Sequence, residues 1–177
     1  MTALDHPLTQ VHVGMGEMVV LRRSEVAVMA LGIGSCIVLC AYDPLAGVAG
    51  MAHILLPSSL GHTADSAAPA RSAPQAVPNL IAGMEELGAS RQRLRTAMVG
   101  GASLFSEAGN DIGNRNIDAV LSTLELYRLH PVARDVGGHR GRSVRFHAST
   151  GAVWRRTVGQ PDTLLVELGA RRRPQDG

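Results

Sequence analysis

The sequence predicts an α+β fold, a layered sandwich of mostly antiparallel strands with two main helices. Most of the chain consists of short apolar or alternating segments bounded by Gly, Pro, Asn and Asp, the pattern of strands and turns. Only two segments carry apolar residues at helical spacing. The length of 177 residues is typical of one domain, so we expect a single unit over residues 1–177 with flexible ends at 1–10 and 168–177.

The N-terminal part of the chain predicts four strands. Residues 11–20 and 25–31 are rich in β-branched and apolar side chains around an Arg-Arg-Ser turn, which predicts two strands. Residues 36–42 and 48–56 flank a Tyr-Asp-Pro-Leu-Ala-Gly turn and predict a hairpin. Because both arms are continuously apolar, we expect strands that are covered on both faces.

The middle of the chain predicts a long loop and both helices. Residues 57–78 are rich in Ser, Ala and Pro, which predicts a loop that is either a rim of the active site or disordered. Helices are predicted at about 79–87, capped by Asn79, and at about 114–129. A strand at 94–99 between them leads into a glycine-rich turn.

The C-terminal part predicts three further strands, ending at Val136 and spanning 143–149 and 152–158. In the second of these, alternation places Val144, Phe146 and Ala148 on one face.

The predicted hairpin brings together a cysteine and a histidine. A hairpin centred between Pro44 and Leu45 places Cys36 directly opposite His53, and directly opposed side chains have Cβ atoms about 4.5 to 5.5 Å apart. A thiol beside an imidazole is the minimal cysteine-nucleophile pair. A cysteine attacks as the thiolate, so we expect a neighbouring imidazolium or backbone dipoles to lower its pKa.

The residues before Cys36 fit a substrate-binding role. Gly32 and Gly34 let a substrate approach the backbone closely. The backbone N–H groups near Gly34, Ser35 and Cys36 are placed to hold an oxyanion.

Other interpretations of the same residues remain open. Cys36 could instead be a small buried apolar residue, and His53 a hydrogen-bonded histidine of the core. For Cys40, in the middle of a strand, the structural interpretation as a small buried apolar residue is favoured. Cys36, Cys40 and His53 also offer three zinc ligands. The sequence contains neither Cys-x-x-Cys nor His-x-x-x-His, which disfavours a metal site.

Composition argues against several classes of function. A net charge of +2 and 3% aromatic residues disfavour a nucleic-acid partner. Gly32-x-Gly34 lacks the third glycine of a dinucleotide site, and a chain without Lys has no phosphate-binding P-loop. The uncharged residues 26–42 are too few to span a membrane, so no membrane insertion is expected. Two unpaired thiols and no signal-peptide pattern predict the cytoplasm.

Several separated blocks between residues 13 and 158 resemble the CheD family of chemoreceptor glutamine deamidases. The blocks are Gly-Met-Gly-Glu at 14–17, Leu-Gly-Ile-Gly-Ser-Cys at 31–36, Tyr-Asp-Pro at 42–44, Gly-Met-Ala-His-Ile-Leu-Leu-Pro at 50–57, Gly-Gly-Ala-Ser at 100–103, Ile-Gly-Asn-Arg-Asn at 112–116 and Gly-Gly-His-Arg-Gly-Arg-Ser-Val at 137–144. The Gly-Ser-Cys and Ala-His-x-x-Leu-Pro blocks, in this order and at this distance, are the specific ones.

The resemblance implies hydrolysis of glutamine side chains on methyl-accepting chemotaxis receptors to glutamate, with release of ammonia. Cys36 would attack the amide carbon and His53 would activate the thiol and protonate the departing amine. Water would then resolve the thioester, with no metal or organic cofactor. The implied partners are the cytoplasmic helices of the receptors and a CheC-type phosphatase.

Two positions depart from the pattern of the family. Ala30 stands where a third catalytic residue, commonly Thr, is expected, so we predict that the backbone carbonyl of Ala30 orients His53. His139 stands where Asn is frequent, which affects substrate contacts. Ala30 also motivates an alternative, a non-catalytic module that binds receptors or the phosphatase. A third possibility is an amidase or transglutaminase that acts on other protein glutamines.

Overall fold

The computed structural model describes residues 9–59, 67–104 and 111–170. Within these ranges the strands are β1 (Thr9–His12), β2 (Met18–Arg22), β3 (Val26–Ile33), β4 (Ile37–Asp43), β5 (Val48–Ile54), β6 (Arg95–Gly100), β7 (Pro131–Val136), β8 (Arg142–His147), β9 (Ala152–Thr157) and β10 (Thr163–Glu167). The helices are α1 (Ala73–Glu86) and α2 (Ile112–Leu126), and a short 3₁₀ helix, Arg91–Arg93, lies between α1 and β6.

The strands form two five-stranded sheets. The first sheet has the order β1-β3-β8-β9-β10 and the second the order β2-β5-β4-β6-β7. All neighbouring pairs are antiparallel except β1 with β3 and β6 with β7, which are parallel. This arrangement confirms the predicted α+β layered sandwich of mostly antiparallel strands with two main helices.

The second sheet lies between the helices and the first sheet. Every residue of β4 and β5 is buried. On one face of this sheet, Leu39 and Ile54 pack in a cluster with Leu80 of α1 and Leu124 of α2. The opposite face packs against the first sheet, in a cluster that includes Val38, Met51, Val28 and Phe146. The hairpin is therefore covered on both faces, as its continuous apolar runs predict.

The predicted strand at residues 11–20 is instead two strands in different sheets. Val13 still donates its N–H to the carbonyl of Met29 in the first sheet, at 2.8 Å. The chain then turns through Gly16, whose φ of 80° favours glycine, and enters the second sheet at β2. An apolar run does not reveal such a change of sheet. The strand β10 was not predicted.

Helix α1 begins at Ala73, six residues before the predicted start at Asn79. Pro74 lies in the first turn, where no intrahelical N–H is needed, and Pro78 lies inside the helix. The side chain of Asn79 does not cap the helix but donates to the carbonyl of Pro69 at 2.9 Å. Residues 60–66 of the predicted loop and 105–110 after the glycine-rich turn lie outside the described residues.

The ends predicted to be flexible fall largely outside the described ranges, which omit residues 1–8 and 171–177. Thr9 and Gln10, however, pair with Val26 and Ala27 in the first sheet, and Leu168 is fully buried. Flexibility of the two ends stays a prediction. Neither helix in the described ranges is long and apolar enough to cross a membrane.

Candidate active site

The hairpin register differs from the predicted one. β4 and β5 pair Val38 with His53, so the hairpin is centred between Leu45 and Ala46 rather than one residue earlier. The carboxylate of Asp43 accepts hydrogen bonds from both of these central N–H groups, at 2.9 and 3.1 Å, which stabilises the shifted turn. The predicted direct opposition of Cys36 and His53 is therefore wrong.

Cys36 and His53 nevertheless share one face of the second sheet. Cys36 lies in the bend directly before β4 and packs in the same cluster as Val38, the partner of His53. Because side chains alternate along a strand, a shift of two positions keeps both side chains on the same side. The two residues are diagonal neighbours, a relationship that typically separates Cα atoms by about 7 to 8 Å.

The imidazole of His53 is buried, with 4% of its surface exposed, and is held in one tautomer. Its Nδ1 lies 3.2 Å from the carbonyl oxygen of Val13. Since a carbonyl only accepts hydrogen bonds, Nδ1 carries the proton and Nε2 carries the lone pair. Nε2 is buried and has no hydrogen-bond partner among the described residues. The ring thus presents one unpaired basic nitrogen.

The carbonyl that orients His53 is that of Val13 and not, as predicted, that of Ala30. β1 runs parallel to β3 with His12 beside Met29, so the next residue, Val13, reaches the level of Ala30. Ala30 is fully buried opposite Val144 and contributes packing. The acceptor is therefore still a backbone carbonyl, supplied by the neighbouring strand.

The segment from Gly14 to Glu17 also fixes the backbone of His53. The N–H of Gly16 donates to the carbonyl of His53 at 2.8 Å, and the N–H of His53 donates to the carbonyl of Glu17 at 3.0 Å. The carboxylate of Glu17 accepts from the N–H of Gly14 at 2.7 Å and closes the turn. The sequence places this block within the family resemblance but does not reveal its role.

The bend at Gly34, Ser35 and Cys36 is held through its carbonyl groups. The carbonyl of Gly34 accepts from the N–H of Ala102 at 2.9 Å, and that of Cys36 from the N–H of Gly101 at 2.8 Å. Between them, the carbonyl of Ser35 accepts from Nδ2 of Asn116 at 2.9 Å. The N–H groups of Gly34 and Ser35 have no partner in the described part of the chain, and that of Cys36 interacts only with the residue's own thiol. In a trans peptide the N–H points away from the preceding C=O. The Ser35 N–H therefore points away from the glycine-rich loop, and the Cys36 N–H points away from Asn116.

The glycine-rich loop fits closely against this bend. A Cβ atom on Gly100, whose φ is 123°, would lie 2.2 Å from the carbonyl oxygen of Cys36. On Gly101 it would lie 2.5 Å from the side chain of Ile117 in α2. Side chains at these positions would separate the loop from both the cysteine bend and the helix.

Burial favours the neutral forms of both Cys36 and His53. It raises the pKa of the Cys36 thiol above its ordinary value, an effect that the residue's own backbone N–H partly offsets. It lowers the pKa of His53, partly offset by the Val13 carbonyl and by the charge of Glu17. Burial thus works against the thiolate and imidazolium that the sequence suggests.

Cys40 is separate from this chemistry. It is fully buried in the middle of β4, and burial raises the pKa of its thiol strongly. In the described ranges, no three His, Cys, Asp or Glu side chains are grouped as metal ligands.

His139 lies at the edge of the site, beside the end of the glycine-rich loop. Its Nδ1 donates to the carbonyl of Ser103 at 2.9 Å, and the Ser103 N–H donates to the carbonyl of Gly138 at 2.8 Å. The hydroxyl of Ser103 donates to Asp111, the N-cap of α2, at 2.6 Å. These bonds connect the loop both to α2 and to the segment that carries His139.

The family described as CheD chemotactic sensory transduction matches residues 55–157, more than half of the chain. The chain belongs to the CheD family. The CheD match begins just after His53 and includes the glycine-rich loop, α2 and His139, whereas Cys36 and His53 precede it.

Curated CheD relatives extend the similarity over most of the chain. The chemoreceptor glutamine deamidase CheD of Thermotoga maritima is 38% identical over 155 residues, which cover 88% of this chain and 96% of that protein. A probable chemoreceptor glutamine deamidase CheD of Symbiobacterium thermophilum is 37% identical over 157 residues, 86% of this chain and 95% of that protein. The probable CheD of Clostridium kluyveri is 39% identical over 135 residues, 74% and 83% of the two chains. The family resemblance predicted from the sequence is confirmed.

Proposed function

We propose that this protein deamidates glutamine side chains of methyl-accepting chemotaxis receptors to glutamate, with Cys36 as the nucleophile. One observation carries the mechanism: the buried, unpaired Nε2 of His53 belongs to a residue on the same sheet face as Cys36. The names of the CheD relatives support the receptor as substrate.

In the first step, Nε2 of His53 accepts the thiol proton while Sγ of Cys36 attacks the amide carbon. The new C–S bond converts the amide oxygen into an oxyanion, which the N–H groups of the bend at Gly34, Ser35 and Cys36 stabilise. Because both partners begin neutral, proton transfer accompanies attack and no resting ion pair is required.

In the second step, the imidazolium returns the proton to the amide nitrogen. The C–N bond breaks, ammonia leaves and a thioester remains on Cys36. The Nδ1–H bond to the Val13 carbonyl stabilises the imidazolium during its short life. Water, deprotonated by Nε2, then attacks the thioester, and the products are a glutamate side chain and the regenerated thiol.

Ala30 is compatible with this mechanism. A hydroxyl at position 30 is dispensable where the carbonyl of Val13 already accepts from the imidazole, at 3.2 Å. Ala30 then serves by packing beneath the site, where it is fully buried.

The proposed setting is the cytoplasm, where the receptors present their signalling helices. Both cysteines are free, as expected in a reducing compartment. A CheC-type phosphatase is proposed as a second partner on the strength of the family resemblance. The binding of that partner is testable with the Cys36→Ala variant, which keeps the surface intact.

The experiment is incubation with purified receptor cytoplasmic fragments, followed by peptide mass spectrometry for the amide-to-acid shift. We expect conversion by the wild type and by Cys40→Ala, and none by Cys36→Ala or His53→Gln. No conversion by the wild type, or full conversion by Cys36→Ala, would contradict the proposal.

Two further measurements separate the alternative functions, a chemotaxis assay in cells and the same mass-spectrometric assay with other proteins as substrates. A non-catalytic module would support chemotaxis in cells when Cys36 is replaced by Ala. A general amidase or transglutaminase would convert glutamines of unrelated proteins or incorporate added amines.

A further inference from the structure

Asn116 of α2 connects the two segments that carry the reactive side chains. It is fully buried, and its Nδ2 donates to the carbonyl of Ser35 at 2.9 Å and to that of Leu55 at 3.1 Å. Ser35 directly precedes Cys36, and Leu55 lies two residues after His53. One amide group thus bridges the thiol segment and the imidazole segment.

We propose that Asn116 is a positioning residue of the deamidase, an inference that rests on the function proposed above. It holds the Ser35–Cys36 peptide so that the Cys36 N–H faces the substrate oxygen. It also holds the end of β5 at a fixed distance from that peptide.

The orientation of the peptide follows from its trans geometry. The Ser35 carbonyl points to Asn116, so the Cys36 N–H points to the opposite side. In the described part of the chain, Asn116 is the sole donor to this carbonyl. Without that bond, the orientation of this peptide is less restrained, and its N–H can turn away from the substrate.

Half of the Asn116 amide group is paired and half is not. The Oδ1 of Asn116 is buried and has no partner among the described residues. The surrounding positions of α2 include Ile117, Val120 and Leu124, which pack against the core. An unpaired buried acceptor is unfavourable, so the value of Asn116 lies in the two bonds that its Nδ2 donates.

The start of α2 is fixed closely enough for Asn116 to reach both carbonyls. A Cβ atom on Gly113 would lie 2.6 Å from the carbonyl oxygen of Gly101, so the first turn rests directly on the glycine-rich loop. The same loop donates to the carbonyls of Gly34 and Cys36. The helix, the loop and the cysteine bend therefore form one connected unit.

The test compares Asn116→Leu, similar in size but without donors, with Thr123→Val on the same helix. Thr123 is a matched control because its buried hydroxyl donates to Ala119 within the helix, at 2.7 Å, and not to the site. Iodoacetamide labelling over a range of pH, read by peptide mass spectrometry, follows Cys36 and Cys40 separately. Deamidation of receptor fragments supplies kcat and KM.

We expect Asn116→Leu to move the labelling profile of Cys36 to higher pH while Cys40 stays protected. In the same variant, we expect kcat to fall by about 10- to 100-fold and KM to change little. Removing an oxyanion donor outright typically costs more, roughly 100- to 1,000-fold in kcat. Thr123→Val behaves as the wild type. Asn116→Ser, which retains one donor, gives an intermediate kcat.

Two results would overturn the inference. The first result is an Asn116→Leu variant whose Cys36 labelling profile and kcat equal those of the wild type. If the leucine variant does not fold, the same comparison is made with Asn116→Ser. The other is loss of activity in step with labelling of Cys40, which would reveal simple unfolding. Because labelling requires no receptor, the inference can fail or hold independently of whether the wild type proves to be a receptor deamidase.

Discussion

Nδ1 of His53 lies 3.2 Å from the carbonyl oxygen of Val13. This single contact decides which nitrogen is available as an acceptor, because the proton on Nδ1 leaves Nε2 as the only acceptor on the ring. The acceptor is a backbone carbonyl, in place of the threonine hydroxyl that is common in the family six residues before the cysteine. A change of side chain at position 13 keeps this carbonyl, provided that the backbone path stays the same.

The acid side of the pH profile reports on His53. Burial lowers the pKa of this imidazole, so its neutral form persists below the ordinary value of about 6.5. We expect kcat/KM for receptor deamidation to remain constant down to that value and to fall as the pH drops through the lowered pKa. A fall with a midpoint above 6.5 would contradict a buried neutral base.

Alkylation of the free enzyme reports on Cys36. Burial raises the pKa of its thiol, so the thiolate forms only at alkaline pH. We expect iodoacetamide labelling of Cys36 to rise through pH 9 without a plateau near neutrality. A plateau between pH 5 and 8, typical of a resting thiolate–imidazolium pair with a thiol pKa of about 3 to 4, would disprove the neutral pair.

Two glycine substitutions should differ sharply in effect. In Gly100→Ala, the new methyl group would overlap the backbone oxygen of Cys36 at 2.2 Å, in a backbone conformation with φ of 123°. We expect a loss of roughly 2 to 3 kcal/mol in the free energy of unfolding and a large fall in kcat.

Gly34→Ala is the matched control for that change. Its methyl group would lie 2.7 Å from Cδ1 of Leu104, the tip of a side chain that is about half exposed and free to rotate. We expect a loss below about 1 kcal/mol. Denaturant unfolding measures both variants, and equal losses would contradict the close contact between Gly100 and the cysteine bend.

Asp43 should support the hairpin in a pH-dependent way. Burial alone would raise its pKa, but hydrogen bonds from Arg93 and from the N–H groups of Ser90, Ala46 and Leu45 outweigh burial and lower it. The stabilising contribution of Asp43 is therefore complete at pH values above its pKa in the unfolded chain, about 3.9. It is lost as the pH falls through the lower pKa of the folded state.

We expect Asp43→Asn to reduce the free energy of unfolding by about 2 to 3 kcal/mol at pH 7, because the amide cannot accept all of these bonds. The difference from the wild type should shrink as the pH approaches 3. A constant difference between pH 7 and 3, measured by urea unfolding, would count against the role of the carboxylate.

Much of the fold follows from local patterns, and the errors have identifiable causes. The apolar hairpin and the alternation in β8 predicted buried strands, and the structure has Val144 and Phe146 in the core. The hairpin register differs because the carboxylate of Asp43 binds N–H groups within the turn, a contact that residue types alone do not specify. Helix α1 is longer than predicted because it accommodates Pro74 and Pro78, residues that normally favour a break.

The orienting groups of the site carry weaker local signals. The shared sheet face of Cys36 and His53 does not depend on the exact register, because a shift of two positions preserves side-chain alternation. Val13 and Asn116 reach the site only through packing of the first sheet and of α2. In the sequence, Val13 directly precedes the Gly-Met-Gly-Glu block and Asn116 ends the Ile-Gly-Asn-Arg-Asn block, and this is the one signal that they carry.

The bonds of Asn116 span 81 and 61 residues of chain, and that of His53 spans 40. Such distant contacts form late in folding, because the entropy of closing long loops must first be overcome. A partly folded chain therefore carries Cys36 as an ordinary exposed thiol, with neither an oriented base nor aligned amides. If the proposed chemistry is right, we expect chemical competence to appear only when the fold is complete.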